Sequence, residues 1–194
     1  NGAGSWTAFA HLGADVGDSH SWRAGISRLE AKSDAREGVY EDANEMEAET
    51  LFSGRDKYWI ADFVWKWAPN GAFHNQNFTL QAEYLHRDED GSLDCADNMA
   101  SGGACQGQSG NWQSRQSGWY AQGVYKFHPN WRTGYRYDRL DTGTQTSDLP
   151  LAMPDYQPER HSLMFDYSPS EFSRFRLQLA QDKAEQGVTD KQVT

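Results

Sequence analysis

The sequence predicts an all-β protein, an antiparallel up-and-down transmembrane β-barrel with about eight strands in this chain. Three observations predict it. Apolar and polar residues alternate with period two, short and long connections follow one another, and aromatic residues collect beside the short connections. Because side chains on a strand alternate between its faces, each segment has an apolar and a more polar face. An up-and-down barrel places its short turns at one end and its long loops at the other.

The clearest segment is a hairpin over residues 58–84. Two alternating stretches surround a Pro-Asn-Gly break, which indicates a β-hairpin. Its apolar face carries Trp59, Ala61, Phe63, Trp65 and Trp67 on the first strand, then Phe78, Leu80, Ala82 and Tyr84 on the second. A soluble sandwich would bury this face in a core, whereas a transmembrane barrel would turn it to lipid.

The other predicted strands show the same alternation. In chain order they cover residues 5–16, 22–27, 118–127, 131–138, 161–167 and 175–182, and residues 188–194 open a further strand. Short turns are expected at residues 17–19, 69–77, 128–130 and 168–170, and long loops at 30–57, 88–113 and 142–159. Within the first long loop, residues 40–51 are rich in Ala, Glu, Met and Leu, which predicts a short helix.

Aromatic residues flank the short turns, where a membrane-interface girdle would lie. They are Trp22, Trp67, Phe78, Phe127, Trp131, Tyr167 and Phe172. A Greek-key sandwich would not keep so regular an order of connections. A soluble up-and-down barrel remains the alternative, and the many charges in the polar phase disfavour it, because the filled interior of a small barrel does not hold them.

The composition limits the classes of function. The 194 residues suffice for one domain, so residues 1–194 are predicted to form a single β-barrel domain. A formal net charge of −10 argues against a nucleic-acid partner, which needs a basic surface. The mean hydropathy is −0.87, and no apolar run approaches the roughly 18 residues of a transmembrane helix. A helical membrane protein is therefore excluded, whereas strands that are apolar on one face only remain compatible.

Both chain ends suggest a piece of a longer protein. The chain begins at Asn1 without a methionine or a basic signal-peptide region, and it ends at Thr194 where another strand is opening. We expect strands to be missing before Asn1 and a closing strand to be missing after Thr194.

Two cysteines lie in one segment rich in Gly, Ser and Asn. Cys95 and Cys105 are close enough in sequence to close a small disulfide loop in an oxidising compartment. Two free thiols, or half of a metal site, are the alternatives.

Four segments resemble a family of Gram-negative outer-membrane proteins: GSWTAFAHLGADVG, SGWYAQGVYKF, TGYRYDRLD and DYSPSEFSRFRLQLAQDK. Members are labelled zinc-regulated or TonB-dependent-receptor-like, although they are porin-sized. The resemblance covers nearly the whole chain and is strongest over residues 117–182. It implies the C-terminal portion of a barrel of about 16 strands, the size at which an aqueous lumen opens. It also implies an outer-membrane location, with lipid and lipopolysaccharide as surroundings.

The barrel hypothesis places the polar phase of the strands in the lumen. The candidate pore-lining residues are Asp62, Lys66, Glu83, Arg132, Arg136, Asp138, Asp166, Arg174, Arg176 and Asp182. The four arginines are expected to form a basic ladder opposite acidic side chains, which would select solutes by charge. The alternative is that these residues pair across strands and stiffen the wall.

The histidines raise the question of zinc. His11, His86 and His161 lie on predicted strands and are weak metal candidates; none of the six histidines shows HxH or HExxH spacing. No cofactor is predicted, and zinc is left open as a transported or weakly bound ion. The acidic residues 37–49 are either a weak divalent-cation site or a solvated loop facing lipopolysaccharide.

No enzyme is predicted. His161 and Ser162 are adjacent and point to opposite faces of a strand, so they do not form a hydrolase pair. We expect a porin-like outer-membrane channel for small polar solutes or ions, linked in one version to zinc uptake. The alternatives are an envelope binding or structural barrel, or a TonB-linked receptor, with a closed lumen; a membrane-embedded hydrolase is a third hypothesis. A homo-oligomer is left open.

Overall fold

A computed structural model describes residues 4–44, 46–95, 104–153, 155–184 and 187–194. These residues form one antiparallel sheet of nine strands, each paired with the next along the chain. The strands are β1 (Ser5–Val16), β2 (His20–Glu41), β3 (Glu47–Trp67), β4 (Asn77–Cys95), β5 (Ser109–His128), β6 (Trp131–Ser147), β7 (Glu159–Ser170), β8 (Ser173–Lys183) and β9 (Asp190–Val193). The prediction of an all-β, up-and-down antiparallel arrangement is confirmed.

The predicted hairpin is β3 and β4, joined through a single 3-10 turn at Pro69–Gly71. Phe63 pairs with Ala82 and Trp67 with Phe78, so the apolar residues of both strands share one face. The short turn after β1 contains Gly17, whose φ of 61° lies in the left-handed region that favours glycine. No helix in the described part of the chain is long and apolar enough to cross a membrane.

The predicted long loop over residues 30–57 is wrong. Strand β2 continues to Glu41 and β3 begins at Glu47, so only a tight connection separates them. The helix predicted for residues 40–51 is wrong too, because Tyr40 pairs with Ala48 in the sheet. Backbone pairing with two neighbouring strands overrides the helix propensity of this segment.

The other two predicted long loops are shorter in the structure than predicted, and one predicted short turn lies at a different position. Strands β4 and β5 take up both ends of the loop predicted at 88–113, and β6 extends to Ser147 into the loop predicted at 142–159. Strand β7 continues to Ser170, so its turn to β8 lies at residues 171–172. Polar or charged residues occupy both faces of most of these extensions, which hides the period-two pattern from the sequence.

The sheet has two unlike faces. We call the face that carries Phe63 and Ala82 the apolar face, and the opposite face, which carries Asp62 and Glu83, the polar face. The main contacts of each strand are with its sheet neighbours, so no other described element packs over the apolar face.

The buried apolar core lies at the end of the sheet away from the short turns. It consists of Ala48, Phe52, Leu93, Cys95, Cys105, Trp112 and Leu149, with Tyr40, Leu151 and Met153 packed against it. These residues come from the extended ends of β2–β5 and from the connections after β4 and β6. The core therefore covers the polar face at this end, which we call the loop end; the other is the turn end.

Candidate functional site

The apolar face is exposed over its whole width. Large side chains on it remain between about two-fifths and three-quarters accessible, including Leu12, Trp59, Tyr84, Trp119, Tyr135, Phe165 and Phe175. A soluble monomer rarely exposes a continuous apolar surface of this extent.

Aromatic residues lie at the turn end of this face. Trp131 stacks on Tyr167 with ring centroids 4.4 Å apart, and Trp65 lies edge-on to Phe78 at 5.8 Å. These residues come from neighbouring strands, so they form a belt across the sheet rather than a cluster around one position.

On the polar face, one row of paired positions crosses all nine strands. Its members in strand order are His11, Gly25, Asp62, Glu83, Tyr120, Asp138, Arg160, Asp182 and Asp190. Four of the predicted pore-lining residues, Asp62, Glu83, Asp138 and Asp182, thus lie in a single line. Their alignment follows from the register and could not be read from any one strand.

At the start of this row, a histidine and a carboxylate meet over a glycine. His11 Nε2 lies 3.1 Å from Asp62 Oδ2, although β2 runs between their strands. A Cβ atom on Gly25 would overlap both side chains, so only glycine leaves room for the contact. The other carboxylate oxygen, Asp62 Oδ1, is buried without a hydrogen bond and has Arg23 3.7 Å away.

Further along the face, Arg136 contacts both a carboxylate and an aromatic ring. Its Nε lies 2.9 Å from both carboxylate oxygens of Asp138, and its guanidinium carbon lies 3.7 Å from the ring centre of Tyr120. The Tyr120 hydroxyl donates to Glu83 Oε2 at 3.3 Å and accepts from Gln81 Nε2 at 2.8 Å. The guanidinium, the tyrosine ring, the two carboxylates and the glutamine amide thus form one continuous network across β4–β6.

Near the turn end, Asp166 joins two arginines. It is fully buried and accepts from Arg132 Nε at 2.7 Å and from Arg176 Nε at 2.8 Å. The predicted arginines thus lie on one face, but they are paired with aspartates and do not form an uninterrupted basic ladder. Lys66 and Arg174 are exposed on the same face, and no ion pair to either is found among the described residues.

The three histidines proposed as metal candidates do not meet. His11 lies on the polar face, whereas His86 and His161 lie on the apolar face, where they contact Asp88 at 3.3 Å and the Tyr135 hydroxyl at 2.6 Å. No group of three or more His, Cys, Asp or Glu side chains suited to a metal ion occurs in the described ranges.

Close to the loop end, an ion cluster that the sequence analysis missed is buried on the polar face. Asp56 and Glu89 are direct cross-strand neighbours, and Arg36 and Arg87 each contact both carboxylates. Trp112 Nε1 donates to Glu89 Oε2 at 3.1 Å, which ties the cluster to the apolar core. The residues of this cluster are far apart in sequence, so no local sequence pattern predicts it.

Three connections meet at Asp42, just beyond the last residue of β2. Its carboxylate accepts from the backbone N–H groups of Asn44 at 2.8 Å, Met46 at 3.1 Å and Ala104 at 2.5 Å. The last of these precedes Cys105, and Asp42 also forms a β-bridge with Leu151. These N–H donors, the largest effect coming from Ala104, hold the pKa of the Asp42 carboxyl below its ordinary value.

Cys95 and Cys105 form a disulfide, with Cα atoms 6.0 Å apart, as the sequence analysis expected. Both are buried in the core at the loop end. The disulfide thus closes its loop next to Asp42. Of the acidic residues in 37–49, Glu37, Glu41, Glu47 and Glu49 lie exposed on strand ends around this point, and Glu45 is outside the described residues.

No protein-family model matches the chain. It is 29% identical over 180 residues to an uncharacterized protein of Aquifex aeolicus, a match that covers 92% of this chain. The chain spans about a third, 34%, of the length of that relative.

Proposed function

We propose that this sheet is part of a transmembrane β-barrel of an outer membrane, and that its polar face lines a passage for small polar solutes or ions. The observation that carries the proposal is the contrast between the two faces. One is apolar and exposed, and the other is a hydrogen-bonded polar surface. A barrel in lipid needs this arrangement, with hydrocarbon outside and water inside.

The dimensions of the apolar face support the proposal. On β3 it extends over the nine residues from Trp59 to Trp67. Strands of outer-membrane barrels are tilted and need about 9–11 residues to cross the hydrocarbon layer. Beyond Trp59, positions on this face carry Lys57 and Arg55, which suit water or a charged lipopolysaccharide surface.

The pairing of charges supports a hydrated lumen. The arginines and carboxylates of the polar face are half-exposed in many cases, and water on that side would lower the cost of keeping them charged. A barrel with this face inward and no water in its lumen would have to desolvate them all.

A second candidate function is a binding barrel with a closed lumen, and the core at the loop end favours it. Trp112, Phe52 and Leu93 lie on the polar face there, and connections pack over them. If this core fills the lumen of the complete barrel, solutes would not pass by diffusion.

Single-channel conductance separates the two functions. The full-length protein that contains this chain is refolded in detergent and reconstituted in a planar bilayer, with and without zinc. We expect steady open-channel current. A properly folded barrel that carries no current would overturn the diffusion channel and favour the closed lumen.

The contribution of the loop-end core is tested in the same bilayer. Replacing both cysteines (C95S with C105S) removes the covalent tie of the core. We expect larger or noisier current from this variant if the core narrows the passage. Fractionation of cells that make the full-length protein tests the outer-membrane location independently.

A further inference from the structure

The polar face is recessed over β6–β8. Three small residues, Gly134, Ser162 and Ala180, lie on adjacent strands there, and longer side chains surround them. The recess has a volume of about 520 Å³. It lies between the Asp166 site and the central polar row.

Three arginines line this recess, and each has a carboxylate beside it. Arg136 is bonded to Asp138 at 2.9 Å, Arg176 is bonded to buried Asp166 at 2.8 Å, and Arg160 lies 3.6 Å from Asp182. Guanidinium groups that are already oriented lose less conformational freedom when a ligand binds.

The carboxylates leave donors available. Arg160 is held by an ion pair at 3.6 Å, too long for a hydrogen bond, so its N–H groups remain free for a ligand. The Ser162 hydroxyl and the Gln178 amide line the same space, and neither side chain has a hydrogen-bond partner among the described residues. A ligand that brings acceptor atoms would satisfy these donors.

The charged residues of the recess determine which sign of ligand charge it favours. Its lining contains three arginines and one aspartate, and that aspartate, Asp138, is already bonded to Arg136. With Arg132, Asp166 and Asp182, which lie just outside, four arginines face three aspartates. These seven residues carry one net positive charge, which favours an anion over a cation.

The floor of the recess is apolar. Val124 and Met164 flank Gly134, where an added Cβ would lie 3.2 Å from Val124 Cγ2 and 3.1 Å from Met164 Cε. A ligand with a short hydrocarbon body between its charged groups would contact this floor.

We propose that the recess binds small organic anions that carry carboxylate groups on a short aliphatic body. Arginine pairs with carboxylate through two parallel hydrogen bonds, which matches the donors on the rim. The inference rests on the proposed function, because the recess meets free solute only if the polar face lines a water-filled passage.

The test is calorimetric titration of the refolded full-length protein in detergent, with succinate as the probe. Glucose and putrescine serve as the neutral and cationic comparisons. We expect saturable binding of succinate alone. R160Q should weaken it about tenfold, because a hydrogen bond to a charged group is lost, and S162L should weaken it by filling the recess.

R23Q is the matched control, because it removes the same charge from the same face at β2, outside the recess. We expect it to leave succinate binding unchanged. Absence of saturable succinate binding by the folded protein would overturn the site. Equal weakening by R160Q and R23Q, or equally tight binding of putrescine, would overturn it too.

Conductance distinguishes the site from the channel. Current without succinate binding would overturn the site and leave the channel standing. Succinate binding by a folded barrel that carries no current would support the site and overturn the diffusion channel.

Discussion

Ala82 lies at the middle of the apolar face, which makes it the place to test whether lipid covers that face. It pairs with Phe63, which is four residues from both Trp59 and Trp67. His86 lies on the same strand and face, four residues from Ala82, or about 14 Å at roughly 3.4 Å per residue. The two positions therefore lie on one face of one strand at different depths, and His86 also contacts Asp88 at 3.3 Å.

We predict that Ala82→Arg destabilises the folded barrel by about 2–4 kcal/mol, because the guanidinium would lie at the bilayer midplane. His86→Arg should cost about 0–1 kcal/mol, because it lies at the rim of the apolar band. The measurement is the free energy of unfolding of the full-length protein in lipid vesicles, from urea titrations followed by tryptophan fluorescence.

Vesicles with a thinner hydrocarbon layer give a second measure. The cost of Ala82→Arg should fall in them, because the charge is then closer to water. Equal costs at the two positions, or no cost at Ala82, would refute the reasoning that lipid covers this face.

Three further predictions concern the loop end and the central row. Because folding lowers the pKa of Asp42, the stabilising effect of its carboxylate is present above the ordinary value of 3.8 and is lost as pH falls through the lowered value. The hydrogen-exchange protection factors of the loop-end amides, taken relative to the intrinsic exchange rate at each pH, should therefore fall below about pH 4, and less so in Asp42→Asn. Gly25→Ala should cost about 1–3 kcal/mol of unfolding free energy by forcing Asp62 aside, and an unchanged urea midpoint would contradict the packing. Reduction of Cys95–Cys105 should cost about 3 kcal/mol on the chain-entropy model, and the double serine variant, which has no disulfide, is the control for the reductant.

The strands that cross the apolar band were predictable because one physical pattern dominates them. From Trp59 to Trp67 every second residue is aromatic or alanine, with Asp62 and Lys66 among the residues between them. The partner strand repeats an apolar residue at every second position after a Pro-Asn-Gly turn. The extensions were not predictable in this way. At residues 32–41, Lys32 and Glu37 lie on one face and Arg36 on the other, and a bulge between Ser33 and Arg36 shifts the phase. Period two is therefore lost although the strand continues.

The candidate site was predictable in composition but not in arrangement. Sequence alternation placed Arg132, Arg136 and Arg176 on one face, where the structure has them. It could not show that Asp166 lies between two of them, because that depends on the register of three strands. Arg160 and Gly134 were missed for the same reason, since a recess is a property of neighbouring strands.

Asp42 joins three connections between strands at the loop end. The turn after β2, the disulfide loop and the segment around Leu151 share backbone hydrogen bonds through one carboxylate and one bridge. Replacing any one of these connections with a foreign loop would remove partners from the other two. Peptide tags or grafted epitopes are better inserted at the opposite end, beside exposed Phe172, where a two-residue turn joins β7 and β8.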